Sequence, residues 1–146
     1  MKRLRQILHA TDFSSASRPA FAKALEMAKH DRARLFLLHV LTPPSPFLGD
    51  KLPSSYLELQ AQARRGAERR LAAAVDRAKK AGVRVQAKLI GGAPSEEIVR
   101  AARRQRPDLI VIGTHGRTGL GRVFMGSVAE RVLQRASCPV LTVRGR

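Results

Sequence analysis

The sequence predicts an α/β fold, an open parallel sheet with helices on both faces. Strand-like and helix-like segments alternate from end to end, and such alternation builds parallel sheets whose crossovers are helices. Two of the strand-like segments, 35–41 and 109–112, are almost wholly apolar, as expected of strands covered on both faces. The 146 residues, 44% hydrophobic and 27% charged, fit a single domain over 1–146 with a real core rather than a disordered chain.

The elements follow in order. Residues 4–10, LRQILHA, read as the first strand. Residues 15–30 place Phe21, Ala24, Leu25 and Ala28 at helical spacing. Pro19 is tolerated in that helix's first turn, which Ser14 or Ser17 would cap. The second strand is 35–41. Residues 42–54 are rich in Pro and Ser and read as a long exposed loop. A long helix over 55–81 carries Leu57, Ala61, Leu71, Val75 and Ala78 on its apolar side. Gly66 weakens it by about 1 kcal/mol relative to Ala, and Gly82 ends it. Residues 83–90 alternate apolar and polar, the pattern of a half-exposed strand near a sheet edge. Pro94 opens a short helix with Glu96 and Glu97 in its first turn, where the helix dipole favours acids. Residues 109–112 and 140–143 complete five strands, with a helix opening at Ser127 between them. No internal repeat or second domain is evident.

Composition excludes several classes. No apolar run approaches the roughly 20 residues that cross a bilayer. The basic-then-apolar start, MKRLRQILHATDFSS, has too short an apolar part for a signal peptide and no A-x-A-like cleavage site before Asp12. The expectation is a cytoplasmic protein without membrane contact. A single cysteine, Cys138, precludes an internal disulfide and suits a reducing compartment; preceding Pro139, it reads as a buried small hydrophobe. The four histidines lack metal-ligand spacing; His9 and His39 read as core or strand-end residues. The net charge of +17, mostly Arg, attracts polyanions. Because the basic residues are spread along the chain, they read as solvated helix faces, with nucleic-acid binding open but not favoured. With no Trp, one Tyr and 4% aromatics, a stacking platform for single strands is poorly supplied.

The stretch DLIVIGTHGRTGLGRVFMGSVAERVLQRASCPVLTV carries the chemistry. A buried strand runs into a glycine-spaced loop, and a helix follows. Glycines let a backbone approach a ligand, and a helix start offers free N–H groups and partial positive charge, so the arrangement suits a phosphate-bearing molecule. The P-loop pattern G-x-x-x-x-G-K-[ST] is absent. The dinucleotide fingerprint is absent too, since the first turn, Ala10 to Ser15, holds no glycine. The spacing instead is G-x2-G-x9-G-S, from Gly113 through Gly116 to Gly126-Ser127.

With its opening ILHATDFS, the strand ending Leu38-His39-Val40, GTHGRTG from Gly113, MGSV from Met125 and CPVLTV from Cys138, the chain resembles the universal stress proteins, in their nucleotide-binding branch. The resemblance implies a Rossmann-like, five-stranded sheet of order 3-2-1-4-5. Its switch point lies between strands 1 and 4, so Asp12 and Gly113 flank one crevice at the carboxyl ends of the strands. It further implies ATP there, with Mg held by the nucleotide and by Asp12 through water. Ala10, Thr11, Asp12 and Val40 would surround adenine and ribose. Gly113, Thr114, His115, Gly116, Gly126, Ser127 and Val128 would surround ribose and phosphates, with Arg117 and Arg122 available to pair with phosphate oxygens. The family often has Pro where this chain has Ala10, which loosens the adenine wall slightly. Two plainer roles compete. Asp12 would cap the turn after the first strand, and Ser127-Val128-Ala129-Glu130 reads as a capping box. The resemblance also implies a homodimer through the last strand, with Val140, Leu141 and Val143 near the contact.

The function expected is a nucleotide-dependent stress-response or regulatory protein with at most slow hydrolysis. A slow ATPase or nucleotide-using transferase is the alternative, weakened by the lack of a compelling base and of the S-G-G-x-D-S loop of related adenylating enzymes. His115 reads as a conformational residue of the loop rather than an acid or base.

Overall fold

The computed structural model describes residues 2–43, 54–114 and 126–145. Strand β1 is Gln6–Ala10, and a 3-10 turn at Ser15–Ser17 leads into α1, Arg18–Asp31. Next come β2 (Arg34–Leu41), α2 (Ser54–Lys80), β3 (Val85–Gly91) and α3 (Pro94–Gln105). The chain closes with β4 (Leu109–Thr114), α4 (Ser127–Arg135) and β5 (Val140–Arg144). The sheet order is β3-β2-β1-β4-β5, with every pairing parallel, which is the order the family resemblance implied. Among the described residues no helix is long and apolar enough to cross a membrane.

Alternate residues of each central strand serve opposite cores, because strand side chains point to opposite faces in turn. Ile7, Leu35, Leu37 and Val111 pack with Phe21 and Ala24 of α1 and with Leu71 and Ala78 of α2. Leu8, Phe36, Leu38 and Ile110 pack on the other face with Ile98 of α3 and Val132 of α4. Half-buried Cys138 lies beside this second core, less enclosed than its sequence context suggests, and burial pushes its thiol up. Strand β3 is an edge, and its alternating exposure matches its alternating sequence.

The structure corrects three local expectations. The helix expected over 15–30 is divided. Ser14 is the cap that acts, its hydroxyl accepting from the Ser17 amide at 3.2 Å. Ser17, at the N-cap of α1, makes no side-chain cap bond; its hydroxyl donates to the Ser14 carbonyl at 2.9 Å instead. In α2, Leu71 and Ala78 are buried, but Leu57 is 55% exposed and Ala61 is exposed too. A helix of 27 residues spans about 40 Å, whereas the seven-residue β3 beneath it spans about 23 Å. The first half of α2 therefore overhangs the sheet. Its end is as expected: Gly82 takes φ +79°, with its amide on the Lys79 carbonyl and the Val83 amide on that of Ala78.

Third, β4 runs to Thr114, two residues past its apolar run, pairing Gly113 with Val143 and Thr114 with Arg144. The glycine at 113 has a packing reason that the ligand argument overlooked. A Cβ there would lie 3.0 Å from the Ala16 carbonyl oxygen and 3.1 Å from Ser17 Cα. The 3-10 turn thus rests directly on the end of β4. Gly113→Ala is expected to cost about 1–3 kcal/mol, measured by urea denaturation.

His9 is fully buried in β1, stacked on Phe21 with ring centroids 5.7 Å apart. Its Nδ1–H donates to the Val111 carbonyl at 2.9 Å, and Nε2 has no partner among the described residues. Burial, only partly offset by that bond and by the charge of Asp12, pushes its pKa down to about 4. An unfolded histidine binds a proton near pH 6.5, so between pH 6.5 and 4 the unfolded state holds more protons. Stability therefore falls as pH drops through that window, by about 3 kcal/mol at its acid end. His9→Gln is expected to flatten the decline, measured as urea midpoints from pH 7 to 4.

Candidate functional site

The turn after β1 is held by its own side chains. Thr11 N–H donates to the Leu38 carbonyl at 2.9 Å, fixing the end of β1 on β2. Phe13 N–H donates to Thr11 Oγ1 at 3.0 Å, and Ser14 N–H donates to Asp12 Oδ1 at 2.9 Å. The Ser17 hydroxyl proton is committed to the Ser14 carbonyl, so across the 3.2 Å contact it is Thr11 that donates to Ser17. This cage holds Phe13 at φ +62°, a left-handed conformation that costs a bulky residue of order 1–3 kcal/mol. The Phe13 ring lies 4.5 Å, centroid to centroid, from His39, whose Nδ1–H donates to the Thr11 carbonyl at 2.7 Å. His9 and His39 are thus the core and strand-end residues expected of them.

Asp12 does cap the turn, as its plainer role required. It also lines a cavity. Burial raises its carboxyl, but hydrogen bonds from the hydroxyl and amide of Ser14 outweigh that and hold it below the usual carboxylate range. At neutral pH it is an anionic acceptor.

The cavity has a volume of about 310 Å³ and opens at the carboxyl ends of β1 and β4, where the strand order reverses. It brings together Ala10, Thr11 and Asp12 after β1 with Val40 of β2. From across the crevice come Gly113 and Thr114 of β4 and Gly126 and Val128 at the start of α4. Its lining mixes apolar side chains, Ala10, Val40, Ile98 and Ile112 among them, with the polar Thr11, Asp12 and Thr114. Thr114 is buried, its hydroxyl 3.5 Å from the Val143 carbonyl.

Helix α4 opens one residue earlier than its capping-box reading requires. Gly126 is the N-cap, its carbonyl accepting from the Glu130 amide at 3.0 Å. Ser127 is already the first helical residue, so it cannot act as the cap and the Ser127–Glu130 box does not form. Ser127 is exposed at the helix start and is not among the residues lining the cavity. Gly126 has φ −57° and ψ 148°, a conformation open to any residue, so its backbone angles do not require glycine. The first turn of α4 lies beside the cavity, where a helix start presents partial positive charge.

His115, Gly116, Arg117 and Arg122 lie outside the described residues. Among the described residues, no cluster of three His, Cys, Asp or Glu side chains could hold a metal. Sequence reasoning missed Ser14, Ser17, Thr42, Pro94, Ile98 and Ile112 as lining residues. Pro94 and Ile98 had a signal: in a parallel sheet every crossover helix starts at the carboxyl end of the strands, so α3 had to open near Asp12. The serines had none, because their hydroxyls are spent inside the turn.

The sequence profile of the Universal stress protein family matches residues 3–144. Universal stress protein MJ0531 of Methanocaldococcus jannaschii is 36% identical over 140 residues, covering 96% of this chain and 82% of that protein. The structure of universal stress protein UspA from Lactobacillus plantarum superposes with a TM-score of 0.86 at 25% identity, over 99% of this chain and 100% of that one. A universal stress protein solved in complex with cAMP superposes with a TM-score of 0.75 at 28% identity, over 99% and 100% of the two chains. In sequence profile, in relatives and in strand order alike, the chain belongs to the universal stress protein family.

Proposed function

We propose that this chain is a nucleotide-dependent regulatory protein of the stress response that binds ATP with Mg in the switch-point cavity and turns it over slowly at most. The observation that carries the reading is the cavity itself, which brings apolar side chains together with Asp12 and a helix N-terminus. Its volume of about 310 Å³ lies at the lower end of small-molecule sites, roughly 300–1,000 Å³. That accommodates a nucleoside, with the phosphates directed along the opening of α4. Adenine would lie against Ala10, Val40 and Ile112. The Asp12 carboxylate, ionised and an acceptor only, suits the donating hydroxyls of ribose. The amides around Gly126, Ser127 and Val128 suit phosphate oxygens, and Mg would be carried by the phosphates with Asp12 reaching it through water. Thr11, Gly113 and Thr114 frame the same crevice, and the sequence adds His115, Gly116 and Arg117. A related protein that binds cAMP with the same fold supports the choice of an adenine nucleotide.

Binding without fast chemistry is supported by the state of Asp12. A general base works best with a pKa near the operating pH, and Asp12 is shifted the other way. A cytoplasmic location accords with the lone cysteine.

Asp12→Asn keeps an oxygen for the Ser14 amide and removes the charge. It is expected to weaken MgATP about tenfold, measured by isothermal titration calorimetry with AMP and cAMP alongside; no saturable binding of wild-type protein at millimolar nucleotide overturns the reading. The half-buried edge strand β5 also supports a two-fold dimer through Val140, Leu141 and Val143. Sedimentation equilibrium at micromolar protein is expected to give the mass of two chains, and Leu141→Arg that of one.

A further inference from the structure

At the opposite end of the sheet from the cavity, the strands begin and the helices finish. Six cationic residues, Lys2, Arg3, Arg5, Arg32, Arg34 and Arg84, line one depression of about 590 Å³ there, with a single carboxylate, Asp31. They are distant in sequence and close in space. The Arg34 amide donates to the Arg5 carbonyl at 2.8 Å, and the Leu35 amide to the Arg84 carbonyl at 2.8 Å. Arg5, Arg34 and Arg84 thus step across the starts of three adjacent strands, roughly 4.8 Å apart. The Arg84 guanidinium donates to the Arg32 carbonyl at 3.1 Å, which ties in the end of α1.

The acids at this end are already engaged. Asp31 accepts from the Leu4 amide at 2.7 Å and contacts His30. Asp108 accepts from the amides of Arg5 and Gln6 at 2.7 and 3.0 Å. The ion pairs of the described residues include none on Arg5, Arg32, Arg34 or Arg84. Helix dipoles do not account for the excess. A helix C-terminus offers about half a negative charge, yet the last turn of α2 alone holds Arg77, Lys79 and Lys80 and that of α3 holds Arg103 and Arg104. Six basic residues that read as dispersed along the chain are therefore gathered by the topology into one depression at this pole.

We infer that this pole is a docking surface for the phosphate backbone of duplex nucleic acid, bound without regard to sequence. Arginine dominates it, and guanidinium forks match phosphate oxygens in pairs. The described Phe and Tyr rings lie elsewhere: Phe21 and Phe36 are buried, Tyr56 is in the first turn of α2, and Phe13 packs on His39 at the other end of the sheet. A stacking platform for single strands is thus missing from the pole. The large exposed hydrophobics among the described residues are Leu57, Leu59 and Leu133, on α2 and α4. None belongs to the depression, which disfavours insertion into a lipid surface.

The test is fluorescence anisotropy of a labelled 24-base-pair DNA of arbitrary sequence, titrated with the full chain at 50–300 mM KCl. Binding in the micromolar range at 50 mM KCl is expected, with log K falling against log[KCl] at a slope of about −4, near −0.9 per phosphate contacted. The triple variant Arg5→Gln/Arg34→Gln/Arg84→Gln should bind at least tenfold more weakly. Arg65→Gln/Arg69→Gln/Arg70→Gln, with the same charge change on the exposed side of α2, should stay within threefold of wild type. Should the first triple fail to fold, Arg34→Gln alone should still lose about threefold and make the slope shallower by about one. Four results overturn the proposal: no binding at 50 mM KCl, equal loss in the two triples, a slope unchanged in Arg34→Gln, or tighter binding to phosphatidylserine vesicles than to DNA. MgATP affinity should be unaltered in the pole variants, so this inference and the nucleotide reading fail separately.

Discussion

The carboxyl end of the sheet depends on one close approach, that of the 3-10 turn to the end of β4. Gly113 leaves room for the Ala16 carbonyl and the Ser17 backbone, and Gly145 does the same beyond β5, where a Cβ would come within 2.6 Å of Ala16 Cα. With the turn seated there, the Ser17 hydroxyl reaches the Ser14 carbonyl and receives the Thr11 proton. Phe13 is then held left-handed, and Asp12 is placed at the mouth of the crevice. The strain at Phe13 persists because the surrounding hydrogen bonds over-determine it.

A single topological fact organises both ends of the molecule. In an all-parallel sheet, helices start where strands finish, so free amides and positive dipole ends gather beside the cavity. Helices finish where strands start, so last-turn cations and strand-leading arginines gather at the other pole. The first arrangement suits a small anion that the backbone can grip. The second suits an extended polyanion met by side chains.

Much of this was legible in the residues. Apolar runs and alternation located the strands because burial on two faces or on one leaves a direct composition signature, and β3 was placed at an edge on that ground alone. The grouping of Asp12 with Gly113 followed once the strand order was known. What was not legible depended on tertiary contact. Leu57 and Ala61 share the apolar stripe of α2 with Leu71, but a stripe does not reveal where the underlying sheet ends. Ser127 precedes Glu130 at capping-box spacing, yet the helix begins one residue sooner because Gly126 already supplies the extended cap geometry. Gly113 looked like a ligand-facing glycine, and its nearest constraint is the protein's own backbone. The clustering of cations was invisible for the same reason, since sequence distance between Arg5, Arg34 and Arg84 hides their adjacency in the sheet.

The two ends are electrostatically separate, and that bears on how the cavity must work. The eight residues of β2 span about 26 Å, some three Debye lengths at physiological ionic strength. The cations of the basic pole therefore do little to hold an anion in the switch-point crevice, however strongly they draw polyanions to their own end. Retention at the crevice has to come from groups within a few ångströms, beside an Asp12 carboxylate that itself repels phosphate. This places the burden on backbone amides at the start of α4, which carry no countercharge and need only close approach. The start of α4, opened by Gly126, meets that need where arginines on the far side of the sheet could not.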